Sequence, residues 1–210
     1  MKVRSWRLLG FDARDSEQHP QAPPMPEDIR EVMLLRPEIE FPLSVDAHIW
    51  PTHFLYHPQI QHLIGICEPA LINTDADCNG GLWLNLERMK TRLLESQRSA
   101  TLVAIELLVP LNVVLDEFVG LIDFDPNPII LPEGAEFLGF DVADSGFWSG
   151  LSNCGYGEEE RVKLRPQWRG RINDVGLLKS EQDAIEFREL SDARVPEHAP
   201  FWVYRLSRLP

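Results

Sequence analysis

The spacing of apolar side chains predicts two helices. Within residues 81–97, four apolar residues recur at intervals of four, three and four: Leu82, Leu86, Met89 and Leu93. These intervals place the four side chains on one helical face, because an α-helix completes a turn in about 3.6 residues. A second helix is predicted over residues 180–190, where Ser180 occupies the N-cap position and Asp183 follows three residues later.

Apolar and β-branched runs predict the strands. Residues 101–109 form an apolar run that ends at Pro110, which is typical of a buried strand. Shorter runs of large apolar residues predict further strands over 3–11, 38–49, 70–76, 135–142 and 200–209. A short helix is predicted over 26–35, and 113–124 fits either a helix or a pair of strands.

The order of these elements indicates the fold class. Strands and helices are mixed along the chain without the regular strand–helix–strand rhythm of a parallel sheet. We therefore predict an α+β fold in which a mixed or largely antiparallel sheet carries a few packed helices. No clear linker divides the chain, so we expect one domain over residues 1–210.

A nine-residue sequence occurs twice. Residues 8–16 read LLGFDARDS and residues 137–145 read FLGFDVADS, with six identical positions. The flanking sequences share nothing, whereas a true repeat extends over a whole structural unit. We interpret the copies as two strands of similar build, each ending in an Asp at a turn. After the second copy, we expect Asp144 or Ser145 to cap a short helix over 146–153.

Acidic residues are concentrated in one part of the chain. The formal net charge is −13, and residues 99–160 contain twelve acids and no Lys, Arg or His. Such a field repels nucleic-acid phosphates and speeds the encounter with a basic partner. The alternative is a solvated surface that keeps the protein soluble. We predict a basic protein partner and no nucleic acid.

Composition also bears on the cellular compartment. The three cysteines are odd in number and show no CxxC spacing, which favours reduced thiols. No apolar run approaches the roughly 18 residues that span a membrane. Trp6 and Arg7 stand where a signal peptide has apolar residues. We expect a cytoplasmic protein that does not enter a membrane.

Residues 75–87 partly follow the spacing of an EF-hand calcium loop. Oxygen-bearing side chains occupy its positions 1, 3 and 5: Asp75, Asp77 and Asn79. Position 12 is Leu86, where the loop requires a bidentate Glu. The alternative is a turn that caps the helix predicted over 81–97. We favour the turn and predict no metal.

Four histidines lie close together in the sequence and offer metal ligands: His48, His53, His57 and His62. Pro51 and Pro58 interrupt any helix that would bring them onto one face. The alternative is a set of ordinary surface or half-buried histidines. We expect neither a metal nor a cofactor here.

Residues 149–155 read SGLSNCG and contain two candidate nucleophiles, Ser152 and Cys154. The frame around Ser152 is not GxSxG, and a Cys nucleophile needs a nearby His, which any of six histidines could supply. The alternative is a turn with Cys154 buried as a small apolar residue. No phosphate-binding glycine motif occurs either, so we predict a non-enzymatic protein. A hydrolase that uses Cys154 or the histidine cluster is the alternative.

The stretch LGFDVADSGFWSGLSNCGYG, residues 138–157, resembles segments of bacterial immunity proteins, the small cytosolic antidotes encoded beside secreted antibacterial toxins. The resemblance covers about 20 residues and assigns a role to none of them. It implies an acidic single-domain protein that binds and neutralises a toxin. A structural homo-oligomer is a further alternative.

The contact residues for a basic partner are expected within the acidic stretch. Phenylalanines among carboxylates there suit an interface with an apolar centre and a polar rim. We predict contacts from Asp116, Glu117, Phe118, Asp123, Phe124, Asp125, Asp141 and Asp144. For Asp141 and Asp144 two alternatives exist, an acid/base pair or capping residues at the end of a strand.

Overall fold

The computed structural model describes residues 4–15, 78–79, 82–96, 100–110, 129–144, 149–151, 163–164, 166–174 and 176–210. It has an α+β fold with an antiparallel sheet and helices. The strands are β1 (Arg4–Asp15), β2 (Cys78–Asn79), β3 (Leu82–Trp83), β4 (Ala100–Pro110), β5 (Glu136–Ala143) and β6 (Trp202–Arg208). The helices are α1 (Leu86–Ser96), α2 (Glu181–Arg194) and a 3-10 turn at Arg169–Arg171.

Contacts divide the described residues into two compact units. The first contains the described residues up to Phe137 together with Ser207–Pro210. The second contains the described residues of Leu138–Leu206. The first unit is built from separate parts of the sequence, so the division does not correspond to two consecutive domains. The single domain expected over residues 1–210 stays a prediction.

In the first unit, β1 and β4 pair antiparallel along their full lengths, from Arg4 opposite Pro110 to Asp15 opposite Ala100. The register shifts between Leu8 and Gly10, so β1 contains a bulge. The other edge of β1 pairs with β3, which in turn pairs with β2. The strand order in this unit is β2-β3-β1-β4.

Helix α1 covers one face of this sheet. It buries Met89 and Leu93 in a core that also contains Leu8, Phe11, Trp83, Ala104 and Leu209. The backbone N–H of Arg88 donates to the side-chain oxygen of Asn85 at 3.1 Å, which caps the first turn. The predicted start at residue 81 is wrong, because Leu82 pairs in β3 and the helix begins at Leu86. The sequence favoured a turn within residues 75–87 as the cap of this helix, and in the structure the capping side chain is that of Asn85.

In the second unit, β5 lies beside β6, and α2 packs through Ala184, Phe187 and Ser191. The Ser180 hydroxyl accepts from the Asp183 N–H at 3.1 Å and donates to the Asp183 carboxylate at 2.6 Å. The first bond satisfies one of the backbone N–H groups that have no partner within the helix, and the second joins the two side chains. This confirms Ser180 as the N-cap, and α2 extends beyond the predicted residue 190 to Arg194.

A cluster of aromatic and charged side chains packs against α2. The Trp168 ring meets the Phe187 ring edge-on at a centroid distance of 4.9 Å, and the Arg171 guanidinium lies 4.6 Å from the Trp168 centroid. Arg171 also pairs with Glu186 and with Asp183. Hydrogen bonding between Arg171 and Glu186 raises the pKa of Arg171 and lowers the pKa of Glu186, so both stay charged.

The strands predicted over 3–11, 101–109, 135–142 and 200–209 are confirmed as β1, β4, β5 and β6. The elements predicted over 26–35, 38–49, 70–76 and 113–124 lie outside the described residues. The described helices include none that is both long enough and apolar enough to cross a membrane.

The two copies of the repeated sequence meet the same packing constraint. A Cβ atom at Gly10 would lie 2.8 Å from the Cβ of Leu82 and from the carbonyl oxygen of Trp83. A Cβ atom at Gly139 would lie 2.6 Å from the Cβ of Leu177. In both copies another segment of the chain, at Leu82–Trp83 or at Leu177, lies so close to the strand that only a glycine fits.

In each copy, the phenylalanine that follows the glycine pairs with the segment that lies close to that glycine. Phe11 is the partner of Trp83 in the sheet, and Phe140 forms an isolated antiparallel bridge with Leu178. Both rings are buried. The two copies are therefore strands of similar build, as the sequence predicts. The turn expected at the Asp of each copy is wrong, because Asp12 pairs with Val103 inside β1 and β5 continues past Asp141 to Ala143.

We predict that Gly139→Ala destabilises the protein by about 2–4 kcal/mol, because the new methyl group meets Leu177 and the backbone at φ +149° strains any other residue. Urea unfolding followed by circular dichroism measures this change. The matched control is Gly170→Ala, since no atom lies within 4 Å of its Cβ position. Equal unfolding midpoints for the two variants would contradict the packing constraint.

Candidate functional site

Of the eight predicted contact residues, the structure describes two, Asp141 and Asp144. The other six lie outside the described residues: Asp116, Glu117, Phe118, Asp123, Phe124 and Asp125. Asp141 has no exposed area and Asp144 is 6% exposed. Direct contact between the Asp141 side chain and a partner would require this part of the fold to open.

Asp141 organises the turn that follows β5. One of its carboxylate oxygens accepts from the Ser149 hydroxyl at 2.6 Å and from the Val142 N–H at 2.8 Å. The Ser149 hydroxyl in turn accepts from the Leu151 N–H at 3.2 Å. A buried carboxylate is costly unless it is hydrogen-bonded, so these donors explain how Asp141 is accommodated.

The short helix expected over 146–153 is wrong for its described residues. Ser149 forms an antiparallel bridge with Ala143, and the Gly150 N–H donates to the Val142 carbonyl at 2.8 Å. Residues 150–151 form a turn. The physical reason is the Asp141 carboxylate, which draws the Ser149 hydroxyl back against β5 and away from helical geometry.

Asp144 joins β5 to the loop before β6. Its carboxylate lies 2.9 Å from Nδ1 of His198, and the two side chains are 9% and 49% exposed. The Asp144 carbonyl accepts from the hydroxyl of Tyr204 at 3.3 Å. Burial raises the pKa of Tyr204, and the charges of Asp144 and Asp141 raise it further. Tyr204 therefore stays neutral and serves as a hydrogen-bond donor.

The contact between Nδ1 of His198 and the Asp144 carboxylate, at 2.9 Å, fixes the orientation of the imidazole. A carboxylate that accepts from Nδ1 selects the tautomer that leaves Nε2 to exchange a proton or to bind a metal. Across the residues that the structure describes, no group of three or more His, Cys, Asp or Glu side chains is placed to hold a metal ion. The other candidate residues from the sequence, Ser152, Cys154, Asp75, Asp77 and the four clustered histidines, lie outside those residues.

Burial changes how the acidic stretch is interpreted. Five of its twelve acids fall within the described residues, and three of these are buried: Glu106, Asp141 and Asp144. The exposed two are Glu133 and Glu136. Sequence charge alone therefore overstates the negative surface that the described residues present.

Those two exposed acids lie on a tight turn in the first unit. The Ala135 N–H approaches the Pro132 carbonyl at 3.4 Å, and Gly134 has φ +83°. A positive φ at the third residue of a turn is typical of type II and favours glycine. The turn therefore exposes Glu133 at its tip and Glu136 just after it.

Two large apolar side chains flank this turn. Ile130 is 82% exposed and Phe137 is 49% exposed, and each lies two residues from an end of the turn. Ile129 and Leu131 pack against the core of the first unit. These two neighbours are partly buried, whereas Ile130 between them is exposed. We call Ile130, Glu133, Glu136 and Phe137 the turn surface.

Sequence reasoning missed Ile130, Glu133, Glu136 and Phe137. The signal that identifies them is the short sequence PEG at 132–134, which predicts a turn, between two apolar runs. Leu94, at 80% exposure, is the remaining large apolar side chain that is exposed among the described residues. It also belongs to the first unit.

The outer edge of β5 is closed to strand addition. The Leu138 carbonyl accepts from the side-chain amide of Asn173 at 2.7 Å. Phe140 exchanges two backbone hydrogen bonds with Leu178, at 2.9 and 2.8 Å, and the Val142 carbonyl accepts from Gly150. Covering an edge in this way prevents pairing with another chain. A partner therefore cannot extend the sheet at residues 138–142.

Comparison with protein-family models, with curated proteins and with solved structures gives no match to this chain. The similarity of residues 138–157 to immunity proteins therefore stays a prediction. The functional argument rests on the geometry and chemistry of the residues themselves.

We predict that Ser149→Ala lowers the free energy of unfolding by about 1–3 kcal/mol, because the buried Asp141 carboxylate loses a donor. The matched control is Ser191→Ala, since the equally buried Ser191 hydroxyl donates to the neutral Phe187 carbonyl of its own helix. Chemical denaturation of both variants measures the difference. A control that loses as much stability as Ser149→Ala would show that Asp141 does not depend on this donor.

Proposed function

We propose that this chain is a non-enzymatic binding protein that neutralises a basic protein partner, as the immunity protein of a secreted bacterial toxin does. The observation that carries the proposal is the turn surface. It combines two exposed large apolar side chains with two exposed carboxylates, inside the stretch of 62 residues that lacks Lys, Arg and His.

The apolar pair supplies the argument for binding. Burying an exposed Ile or Phe side chain contributes about 1.5–3 kcal/mol each, and interface energy concentrates in such anchors. Exposed apolar side chains close in sequence to exposed carboxylates match the composition of a specific interface, which has an apolar centre and a polar rim. Ile130 and Phe137 are therefore the proposed anchors of the complex.

The carboxylates supply the argument for a basic partner. The Glu136 carboxylate pairs with Arg208 at 3.1 Å while its side chain remains 65% exposed. Glu133 is exposed at the tip of the turn. Exposed carboxylates mainly steer the encounter with a cationic surface. The six predicted contacts between Asp116 and Asp125 would extend the same negative region in sequence.

We expect the double variant Ile130→Ser/Phe137→Ser to fold normally and to bind its partner at least about tenfold more weakly, since two exposed anchors are lost. The partner is first isolated with the tagged wild-type chain from the native organism, and Kd is then measured with the purified partner. Leu94→Ser is the matched control, because it removes an equally exposed apolar side chain of the first unit. An unchanged Kd in the double variant would refute the turn surface as the binding site.

We expect Glu133→Lys/Glu136→Lys to slow association by about tenfold at low salt and to weaken its salt dependence, because steering is lost. Asp123→Lys/Asp125→Lys should act in the same direction. Stopped-flow association rates at several salt concentrations measure both effects. Glu87→Lys/Glu189→Lys changes the net charge equally at exposed positions elsewhere. If this control slows association as much, the association rate depends on the net charge of the chain and not on the position of these carboxylates.

The contact of the His198 imidazole with the Asp144 carboxylate favours a second candidate, a hydrolase in which this oriented imidazole activates Cys154. Such an enzyme would carry a thiolate that iodoacetamide modifies rapidly at neutral pH. Slow labelling of Cys154, together with substoichiometric zinc and calcium in the purified protein, would count against it. The third candidate, a structural homo-oligomer, predicts a particle larger than one chain in light scattering.

A further inference from the structure

Five consecutive exposed residues connect α2 to β6: Pro196, Glu197, His198, Ala199 and Pro200. The residues on either side are buried, with Val195 at 3% and Phe201 at 2% exposure. A short exposed run between two buried residues forms a surface loop. We call residues 196–200 the 196–200 loop.

Hydrogen bonds hold both ends of the 196–200 loop. The His198 N–H donates to the Val195 carbonyl at 3.0 Å, which closes a turn at the start of the loop. The Phe201 N–H donates to the Asp192 carboxylate at 2.7 Å, which ties the end of the loop back to α2. Prolines at its first and last positions further restrict the backbone.

His198 fixes the middle of the loop. Its Nδ1 lies 2.9 Å from the Asp144 carboxylate, which is nearly buried at the end of β5. An internal tether of this kind lowers the conformational entropy that a loop would lose on binding. The loop is thus held in one conformation while its side chains remain exposed.

The 196–200 loop carries one permanent charge. Glu197 is exposed, and the loop contains no Lys or Arg. The nearest Lys or Arg in the sequence is Arg194, the last residue of α2. An ordered, exposed loop that presents a carboxylate suits a concave site lined by cations, such as a site that binds an anionic substrate.

We propose that the 196–200 loop is a preorganised docking loop that inserts the Glu197 carboxylate into a cationic cleft of the protein partner. This inference rests on the proposed function and specifies which part of the partner the chain occludes, namely a cationic cleft. It assigns His198 a positioning role, because the imidazole orders the loop through Asp144 and need not touch the partner.

The first experiment tests the order of the loop without a partner. A protease that cleaves after glutamate is added to the folded chain, and mass spectrometry follows cleavage between Glu197 and His198. The wild-type bond should resist, and His198→Ala should be cleaved at least about tenfold faster because the tether to Asp144 is lost. His198→Gln, which keeps a donor for Asp144, should restore most of the resistance. Equal cleavage of wild type and His198→Ala would overturn the proposal.

The second experiment tests the insertion into a cleft. The photo-reactive residue benzoylphenylalanine replaces Ala199 in the tagged full chain, which is irradiated in a lysate of the native organism. We expect one discrete protein adduct that Glu197→Lys reduces about tenfold and that heparin, a polyanion that occupies cationic clefts, abolishes. The same probe at the exposed Glu189 of α2 is the control and should give no adduct.

The outcomes separate this proposal from the proposed function. An adduct from a probe at Phe137 but none from position 199 would overturn the docking loop and leave the turn surface intact. An adduct at position 199 that neither heparin nor Glu197→Lys affects would overturn the cationic cleft. Absence of adducts from both positions would count against the binding function as a whole.

Discussion

Two buried carboxylates at the end of β5 determine how the second unit is assembled. An unpaired charge in a protein interior is costly, so each carboxylate must find donors from other segments. Asp141 obtains them from Ser149 and from the backbone of Val142, which draws the chain after β5 into a turn against the strand. Asp144 obtains one from His198, 54 residues later in the sequence, and thereby fixes the loop before β6. Tyr204 donates to the carbonyl of Asp144, so β6 is joined to the same point.

Local patterns in the sequence predict much of this fold. The apolar run of β4 and the Ser180 cap of α2 depend on residues within one element, so periodicity and capping rules identify them. The repeated LGFD is also read correctly as two similar strands, although the reason appears only in the structure. In each copy a second segment, at Trp83 or at Leu178, lies too close to the strand for any residue but glycine.

The burial of Glu106, Asp141 and Asp144 could not be predicted in the same way. Whether a carboxylate is exposed depends on donors that tertiary folding brings to it, and the sequence near Asp144 contains no sign of His198. The short helix expected after β5 fails for the same reason, because capping rules do not register the bond between Ser149 and Asp141. Charge summed along the sequence therefore identifies a region rich in acids without separating the buried acids from the exposed ones.

The buried acids and the exposed acids of residues 99–160 therefore have different physical effects. The buried acids act on stability, since removing a donor leaves a charge unsatisfied. In the proposed function, the exposed acids of the turn surface would act mainly on the rate of encounter, which salt screens, whereas Ile130 and Phe137 would act mainly on the rate of dissociation. A protein that must capture a toxin before it acts benefits from both effects, because fast encounter and slow release contribute independently to neutralisation. The same stretch of sequence thereby holds the second unit together and provides the exposed groups on which the proposed function depends.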